Sequence, residues 1–289
     1  LKDYCLRAGQ FLESGDSYET AKIVLVGIPL ELTVTFRTGT RGGPQAIRMA
    51  SEGLEDFSPY LEDELSRYNF YDAGDLLLPF GNLQTSLERI AALTRQIIKD
   101  GKFPLFLGGE HLLSYPVVKA FAEYFSDLLV IHIDAHADLR EDYLGEAFSH
   151  ATVMRRICEV VGANNVYQFA VRSGTREEFT FARKSTNFYP FRLLDAFKEC
   201  IPLFRDRPLY ITFDIDVLDP AYAPGTGTPE PGGVTPHEVW QLFTCFRKLN
   251  VVGFDLVEVA PPQDPSGITA LLAAKIVREG IIAFSQNLS

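Results

Sequence analysis

Three features of the sequence predict an α/β protein, with a mainly parallel sheet covered by helices on both faces in three α/β/α layers. Segments of strand character alternate with segments of helical period along the whole chain, the pattern of βαβ units rather than of hairpins. The strand segments are near-continuous runs of Val, Ile, Leu and Phe, as expected where both faces of a strand are buried. Four of these runs end in acidic residues or histidine, and in open parallel sheets ligands sit beyond the carboxyl ends of the strands.

The elements follow in order. A polar N-terminal arm over residues 1–20 leads into a first buried strand at 21–29. Thr38-Gly39-Thr40-Arg41-Gly42-Gly43-Pro44 is a glycine-rich turn, and Pro44 suits the first turn of a helix beginning there. These glycines lack the spacing of a P-loop or a dinucleotide fingerprint, so structural turn chemistry outweighs phosphate binding. Pro59, Pro79 and Gly81 interrupt 53–82, where no long element is expected. Leu83, Leu87, Ile90, Ala91, Thr94, Ile97 and Ile98 recur at helical spacing and mark a helix packed on the sheet, closed by Asp100-Gly101. A strand at 103–107 runs into Gly108-Gly109-Glu110-His111, and a helix at 112–125 delivers the chain to Leu128-Leu129-Val130-Ile131. Helices are then expected at 150–161, 175–184, 193–201, 235–248 and 267–284, and strands at 165–171, 208–213 and 251–257. No linker or internal repeat interrupts the pattern, which reads as a single domain over 1–289.

With 46% hydrophobic and 22% charged residues the chain has material for an ample core, and disorder is excluded. A net charge of −11 without any Lys/Arg cluster argues against nucleic acid or a membrane surface as the main partner. It favours a small cation. Cys5, Cys158, Cys200 and Cys245 form no C-x-x-C pair and read as reduced thiols of a cytoplasmic protein. No signal peptide or apolar run of spanning length is seen, and since the first residue is Leu1, residues ahead of it are expected.

The central strand empties into Asp134-Ala135-His136-Ala137-Asp138. In an extended backbone Asp134, His136 and Asp138 would project to one side, and two carboxylates with an imidazole suit a divalent cation. The strand at 208–213 also ends in acid, Asp214-Ile215-Asp216-Val217-Leu218-Asp219-Pro220. Asp219, ahead of Pro220, fits an ordinary Asx turn. Asp214 and Asp216 on one face would repel unless a cation lay between them, and with Asp134 and Asp138 they could balance two divalent ions. Of the five histidines, His111, His132, His136 and His150 fall within forty residues. His132 is read as out of phase with Asp134, inside the sheet and without a role, and His237 likewise has none.

The runs Gly-Gly-Glu-His, Asp-Ala-His-Ala-Asp and Phe-Asp-Ile-Asp-Val-Leu-Asp-Pro, in this order, resemble the ureohydrolase family of arginases and agmatinases. The resemblance extends from Gly27 to the last helix and includes Ala223-Pro224-Gly225-Thr226-Gly227-Thr228-Pro229 and Val257-Glu258-Val259-Ala260-Pro261. It implies an arginase-like α/β/α fold, two manganese ions, a homotrimer or homohexamer, and hydrolysis of a guanidinium group to release urea. It also implies that His111, Asp134, Asp138 and Asp214 hold one or both metals, with His136 and Asp216 completing the set. Glu110 departs from the commoner Asp, and a supporting role behind the metals is expected for it. Glu258 would anchor the guanidinium, whose planar fork of donors a carboxylate matches. Asp138 would pass a proton to the departing amine, and His150 would exchange protons with solvent and line the substrate site.

Residues 139–150 lack the Asn/Ser-rich pattern by which arginases bind the α-carboxylate, and Arg172-Ser173-Gly174-Thr175 replaces the run that carries their α-amino reader. The resemblance therefore implies agmatine, a small cationic guanidino substrate, giving putrescine. Glu141, Asp142 and Glu146 read either as favouring that cation or as solvated surface charges. Alternatives are N-aminopropyl agmatine, guanidinobutyrate, arginine or formiminoglutamate as substrate. More distant ones are a one-zinc deacetylase and a catalytically silent metal-binding protein.

Overall fold

The computed structural model describes residues 4–6, 9–15 and 17–288. In chain order the elements are β1 (Cys5–Leu6), β2 (Ile23–Ile28), α1 (Gly43–Ser51), β3 (Phe57–Ser58), β4 (Asp63–Glu64), β5 (Phe70–Leu76), α2 (Leu83–Lys99) and β6 (Phe103–Gly108). There follow α3 (Ser114–Ala122), β7 (Leu129–Ile133), α4 (Val153–Val161), β8 (Val166–Phe169), α5 (Arg176–Ser185), β9 (Asn187–Tyr189), α6 (Leu194–Phe204), β10 (Leu209–Asp214), α7 (Pro236–Phe246), β11 (Val251–Val257) and α8 (Ile268–Ser285). All strands except β3 and β4 join one sheet of order β1-β5-β2-β6-β11-β10-β7-β8-β9. Every pairing in that sheet is parallel but β1 with β5.

The apolar runs are buried on both faces, as the sequence pattern predicts. Along β2, Ile23 and Leu25 join a core with α1, α6, α7 and α8, whereas Val24, Val26 and Ile28 join one with α2, α3, α4 and α5. Side chains of a strand alternate between faces, so one apolar run feeds both cores. The three-layer arrangement follows from this.

Two expectations are corrected. The stretch 53–82, read as irregular, contains β5, and the arm over 1–20 contributes β1 and the buried Phe11. The residues Asp72, Gly74 and Asp75 break the apolar character of β5, so its burial depends on a distant partner. Arg48 of α1, itself buried, makes two hydrogen bonds to Asp72 at 2.8 and 2.9 Å and one to Asp75 at 2.5 Å. The Phe11 N–H donates to the same Asp72 at 2.9 Å, which ties the arm to the sheet. A buried charge held in this way is stable only with its partners present. The helix ends also shift, since His111–Leu113 and His150–Thr152 are single 3-10 turns ahead of α3 and α4.

The segment after β2 lies against the end of β6. Gly109 N–H donates to Ile28 O and Glu110 N–H to Leu30 O, both at 2.8 Å. A Cβ on Gly109 would fall 2.0 Å from the Leu30 carbonyl oxygen, so only glycine permits this approach. Gly109→Ala is expected to cost about 1–3 kcal/mol through overpacking, read as a lower urea midpoint. Gly53→Ala, whose added methyl would meet Ala50 O at an ordinary 3.6 Å, is the control that should leave the midpoint nearly unchanged.

Candidate metal centre

Four strands adjacent in the sheet, β6, β11, β10 and β7, end side by side at one edge. Phe213 pairs with Ile133, Asp214 with Val257, and Leu256 with Leu107, so their carboxyl ends are level. Just beyond them lie His111, Glu258, Asp214 with Asp216, and Asp134 with His136 and Asp138. The last three do not continue an extended strand as the alternation suggested. β7 stops at Ile133, and Asp138 adopts a left-handed backbone at φ 53°. Its carbonyl oxygen accepts from Met154 N and Arg155 N at 3.0 and 3.2 Å, which holds that turn. Glu258 is also left-handed, at φ 66°, a conformation tolerated in a non-glycine residue only where its surroundings impose it.

His111 Nδ1 lies 3.0 Å from Asp134 Oδ2, 3.2 Å from Asp138 Oδ2 and 3.4 Å from Asp214 Oδ2. Its other nitrogen, Nε2, is 2.9 Å from Thr212 Oγ1, and that hydroxyl donates to Asp255 Oδ1 at 2.7 Å. With its proton spent on Asp255, Thr212 accepts from Nε2–H, so Nδ1 of the neutral ring presents a lone pair to three carboxylate oxygens. Nδ1 makes no aligned hydrogen bond to any of them. A lone pair facing three anionic oxygens is the donor set of a cation.

A second group lies beside the first. His136 Nδ1 is 2.9 Å from Asp216 Oδ2 and 3.7 Å from Asp134 Oδ1, and the His136 N–H donates to Asp134 Oδ1 at 2.5 Å. Ligand atoms of Asp134, His136 and Asp216 fall within 4.8 Å of one another, as do those of His111, His132, Asp134 and Asp138. Asp134 belongs to both sets. Its two oxygens face different groups, which is what a bridging carboxylate between two ions requires.

His132 was misassigned by the alternation. Residues 132 and 134 are two apart and share a face, and His132 Nε2 sits 2.9 Å from Asp134 Oδ2. Gln168 Nε2 donates to Ala137 O at 2.9 Å and lies 3.1 Å from His132 Nδ1. That amide makes Nδ1 the acceptor, so Nε2 carries the proton and donates to Asp134. His132 therefore orients the carboxylate rather than offering a lone pair of its own. Asp255 was missed altogether. Fully buried in β11, it receives hydrogen bonds from Thr212, Ser114 and Tyr210. An acid within the otherwise apolar Val251–Val257 run was the available signal.

The electrostatics match this packing. Burial raises the Asp214 carboxyl well above its ordinary range, and the charges of Asp216 and Asp134 raise it further. Burial acts the same way on Asp134, but His132, His111 and His136 outweigh it and bring that carboxyl well below. Burial disfavours a charged His111 ring, yet Asp134, Asp138 and Asp214 raise its pKa well above normal. Carboxylates that draw a proton this strongly would draw a divalent cation by the same attraction.

A cavity of about 340 Å³ opens on these groups, and Glu258, His150, Arg140 and Tyr143 border it. Glu258 Oε1 accepts from the His111 N–H at 2.7 Å. Burial pushes its pKa up to about 8, against that hydrogen bond. No arginine or lysine pairs with it among the described residues. His150 is held below its ordinary pKa by burial, opposed by the Asp138 charge and the neighbouring Thr33. Glu141, Asp142 and Glu146 are exposed and lie outside the lining of this cavity. From the same loop Arg140 and Tyr143 face it instead, with the Arg140 guanidinium 4.9 Å over the Tyr143 ring and its Nε 3.7 Å from Glu178. Arg172 is taken up by the carbonyls of Asp216, Val217, Leu218 and Glu230, so it shapes the turn after β10. Asp219 makes the turn expected of it, accepting from Ala221, Gly232 and Gly233. Glu110 lies behind His111, its carboxyl pushed up to about 7 by burial.

The arginase family model matches residues 21–283. An agmatinase of Bacillus anthracis is 49% identical over 277 residues, 95% of this chain and 96% of that protein. A mitochondrial guanidino acid hydrolase of Homo sapiens is 37% identical over 92% of this chain and 79% of its own length. The crystal structure of the agmatine ureohydrolase of Thermoplasma volcanium superposes with a TM-score of 0.86 at 30% identity, covering 98% of this chain and 96% of that one. With the strand-end clusters placed as described, and with similarity over nearly the whole length, the chain belongs to the arginase family.

Proposed function

We propose that this chain hydrolyses agmatine to putrescine and urea at a pair of manganese ions. The observation that carries this is Asp134, whose two oxygens join one donor group around His111 to another around His136. His111, Asp134, Asp138 and Asp214 would hold one ion, and His136 and Asp216, with Asp134, the other. Two bound divalent cations supply a water of lowered pKa as the nucleophile. A donor set rich in oxygen with two imidazoles favours manganese over softer ions.

The chain's own residues do the rest. Glu258, whose rotamer the His111 N–H fixes through Oε1, receives the guanidinium N–H fork at the rigid end of β11. Asp138 carries the proton to the departing amine, and its left-handed backbone aims the carboxylate inward from a loop fastened to α4. His150 exchanges protons with solvent at the cavity wall. Ser173, Gly174 and Thr175 line the tail end of the cavity with neutral groups, which suits a substrate without an α-amino acid head. Arg140 in that lining favours a second reading, a guanidino acid whose carboxylate it would meet, although Glu178 and Tyr143 already engage it.

The same reading takes the chain as one domain forming a homotrimer or homohexamer in the cytoplasm. Four free cysteines support a reducing compartment. Exposed Met49, Ile268 and Leu271 on the packed pair α1 and α8 support association. Among the described residues no helix is long and apolar enough to cross a membrane.

Urea release by manganese-loaded protein offered agmatine, arginine, guanidinobutyrate and N-aminopropyl agmatine, with formamide release from formiminoglutamate beside it, tests the substrate. Agmatine should turn over fastest. Guanidinobutyrate in first place would establish the second reading, and no urea from any of them would overturn both. Asp134→Asn and Asp214→Asn should lose metal, measured against two ions per chain in the parent, whereas His150→Asn should keep its metal with kcat lower by about a hundredfold.

The metal-free protein should also show a characteristic pH dependence. Glu110 and Glu258 titrate at about 7 and about 8, above the ordinary 4.5, so the folded state binds their protons more tightly. The stability they contribute is complete below the unfolded pKa and lost as pH rises through the folded one. Raised values at Asp214, Asp216, His111 and His136 act in the same direction, against lowered ones at Asp134 and His150. The urea midpoint in chelator is expected to fall between pH ~5 and ~8, and saturating manganese to remove most of the fall. An equal midpoint at both pH values would contradict this account of the buried acids.

A further inference from the structure

We infer that Thr33 is a positioning residue that links Glu110 to His150 and fixes His150 as the Nδ1–H tautomer, leaving Nε2 as its basic nitrogen. The inference rests on the reading of His150 as the proton-exchanging group, and gives it a determinate chemical form. It follows from counting protons. Glu110 Oε2 accepts from Leu32 N at 3.2 Å, from Thr33 N at 2.8 Å and from Thr33 Oγ1 at 3.1 Å. A hydroxyl has one proton. Turned anywhere else, it would leave the lone pairs of Oγ1 and Oε2 facing each other at 3.1 Å. A protonated Glu110 would not alter this, since Oε2 already faces two N–H donors and the acid proton would belong on Oε1, which has no partner.

Thr33 Oγ1 then has only lone pairs for His150. It accepts the His150 backbone N–H at 3.0 Å, and the ring nitrogen Nδ1 lies 3.3 Å away. Facing an acceptor, Nδ1 carries the proton. The neutral ring thus keeps its lone pair on Nε2, on the opposite side from Thr33, in a residue that borders the same cavity as Asp138 and Glu258. Thr33 is held there independently of any substrate, because the 28–33 segment is stitched to Gly109 and Glu110 through backbone hydrogen bonds. Tyr143 packs its ring against the imidazole at 5.6 Å and 87°, which limits rotation of the ring about its Cβ–Cγ bond. The Nε2–H tautomer of the same ring would instead turn the Nδ1 lone pair toward an oxygen with no proton to give.

The test is a long-range proton–nitrogen correlation spectrum of zinc-loaded protein carrying ¹⁵N-histidine, with His150→Asn identifying the signal and the pH set above the ring's titration. The expected spectrum shows Nδ1 protonated and Nε2 as the unprotonated, imine-type nitrogen. Thr33→Val should lose that preference and lower kcat for manganese-loaded enzyme by about tenfold or more, with KM changed by less than about twofold. Thr33→Ser, which restores the hydroxyl, should recover both. A proton on Nε2 in the parent protein would overturn the inference even if Thr33→Val does not fold, and so would a Thr33→Val protein with parental spectrum and kcat. The expected tautomer in a protein that releases urea from no guanidino compound would uphold the positioning and overturn the proposed reaction instead.

Discussion

The structure depends on keeping five carboxylates, those of Asp134, Asp138, Asp214, Asp216 and Glu258, together out of water at one edge of the sheet. Charges of one sign so placed repel, and burial disfavours each of them separately. The surroundings are arranged around that difficulty. Histidines 111, 132 and 136 supply the nearest nitrogens. Backbone N–H groups of Ala135, His136, His111 and Asp216 each donate to a carboxylate oxygen. The remaining deficit of positive charge is what divalent cations would fill.

Parallel strand topology makes the gathering possible. In a parallel sheet all strands point the same way, so the residues that follow β6, β11, β10 and β7 emerge at one edge within a few ångströms of each other. Their sequence positions span Gly108 to Glu258, yet the register levels their ends. Behind this edge the side chains one layer down are no longer purely apolar. Thr212 of β10 and Asp255 of β11, with Ser114 of α3 and Tyr210, form a buried polar layer that fixes the His111 ring. Fully satisfied polar groups of this kind hold a ligand's orientation in a way that apolar packing cannot.

Legibility in the sequence followed the kind of interaction involved. β2, β6, β7, β10 and β11 were readable because a strand buried on both faces must be apolar throughout. β5 was not, since its acids are made tolerable by Arg48 from another element. For the candidate site, the residues beyond the strand ends stand out as clustered Asp and His, and the structure brings His111, Asp134, His136, Asp138, Asp214 and Asp216 together. The residues that hold them were not apparent. Gln168 and Thr212 are unremarkable types at unremarkable positions until their partners are known, Asp255 shows only as an acid within an apolar run, and His132 is lost to an error of strand phase.

What the sequence by itself determined is the layered α/β fold and the residue types that chemistry demands at the strand ends, because burial on two faces and cation binding each leave a composition that is local along the chain. What only the tertiary structure decided is which nitrogen or oxygen of those residues faces which neighbour. The left-handed turn at Asp138, the proton on His132 Nε2, Arg140 in place of the loop acids at the cavity, and the approach of Thr33 to His150 each depend on contacts between separate segments of the chain. Hydrogen-bond partners between such segments are set by how the layers pack, and no local pattern encodes them.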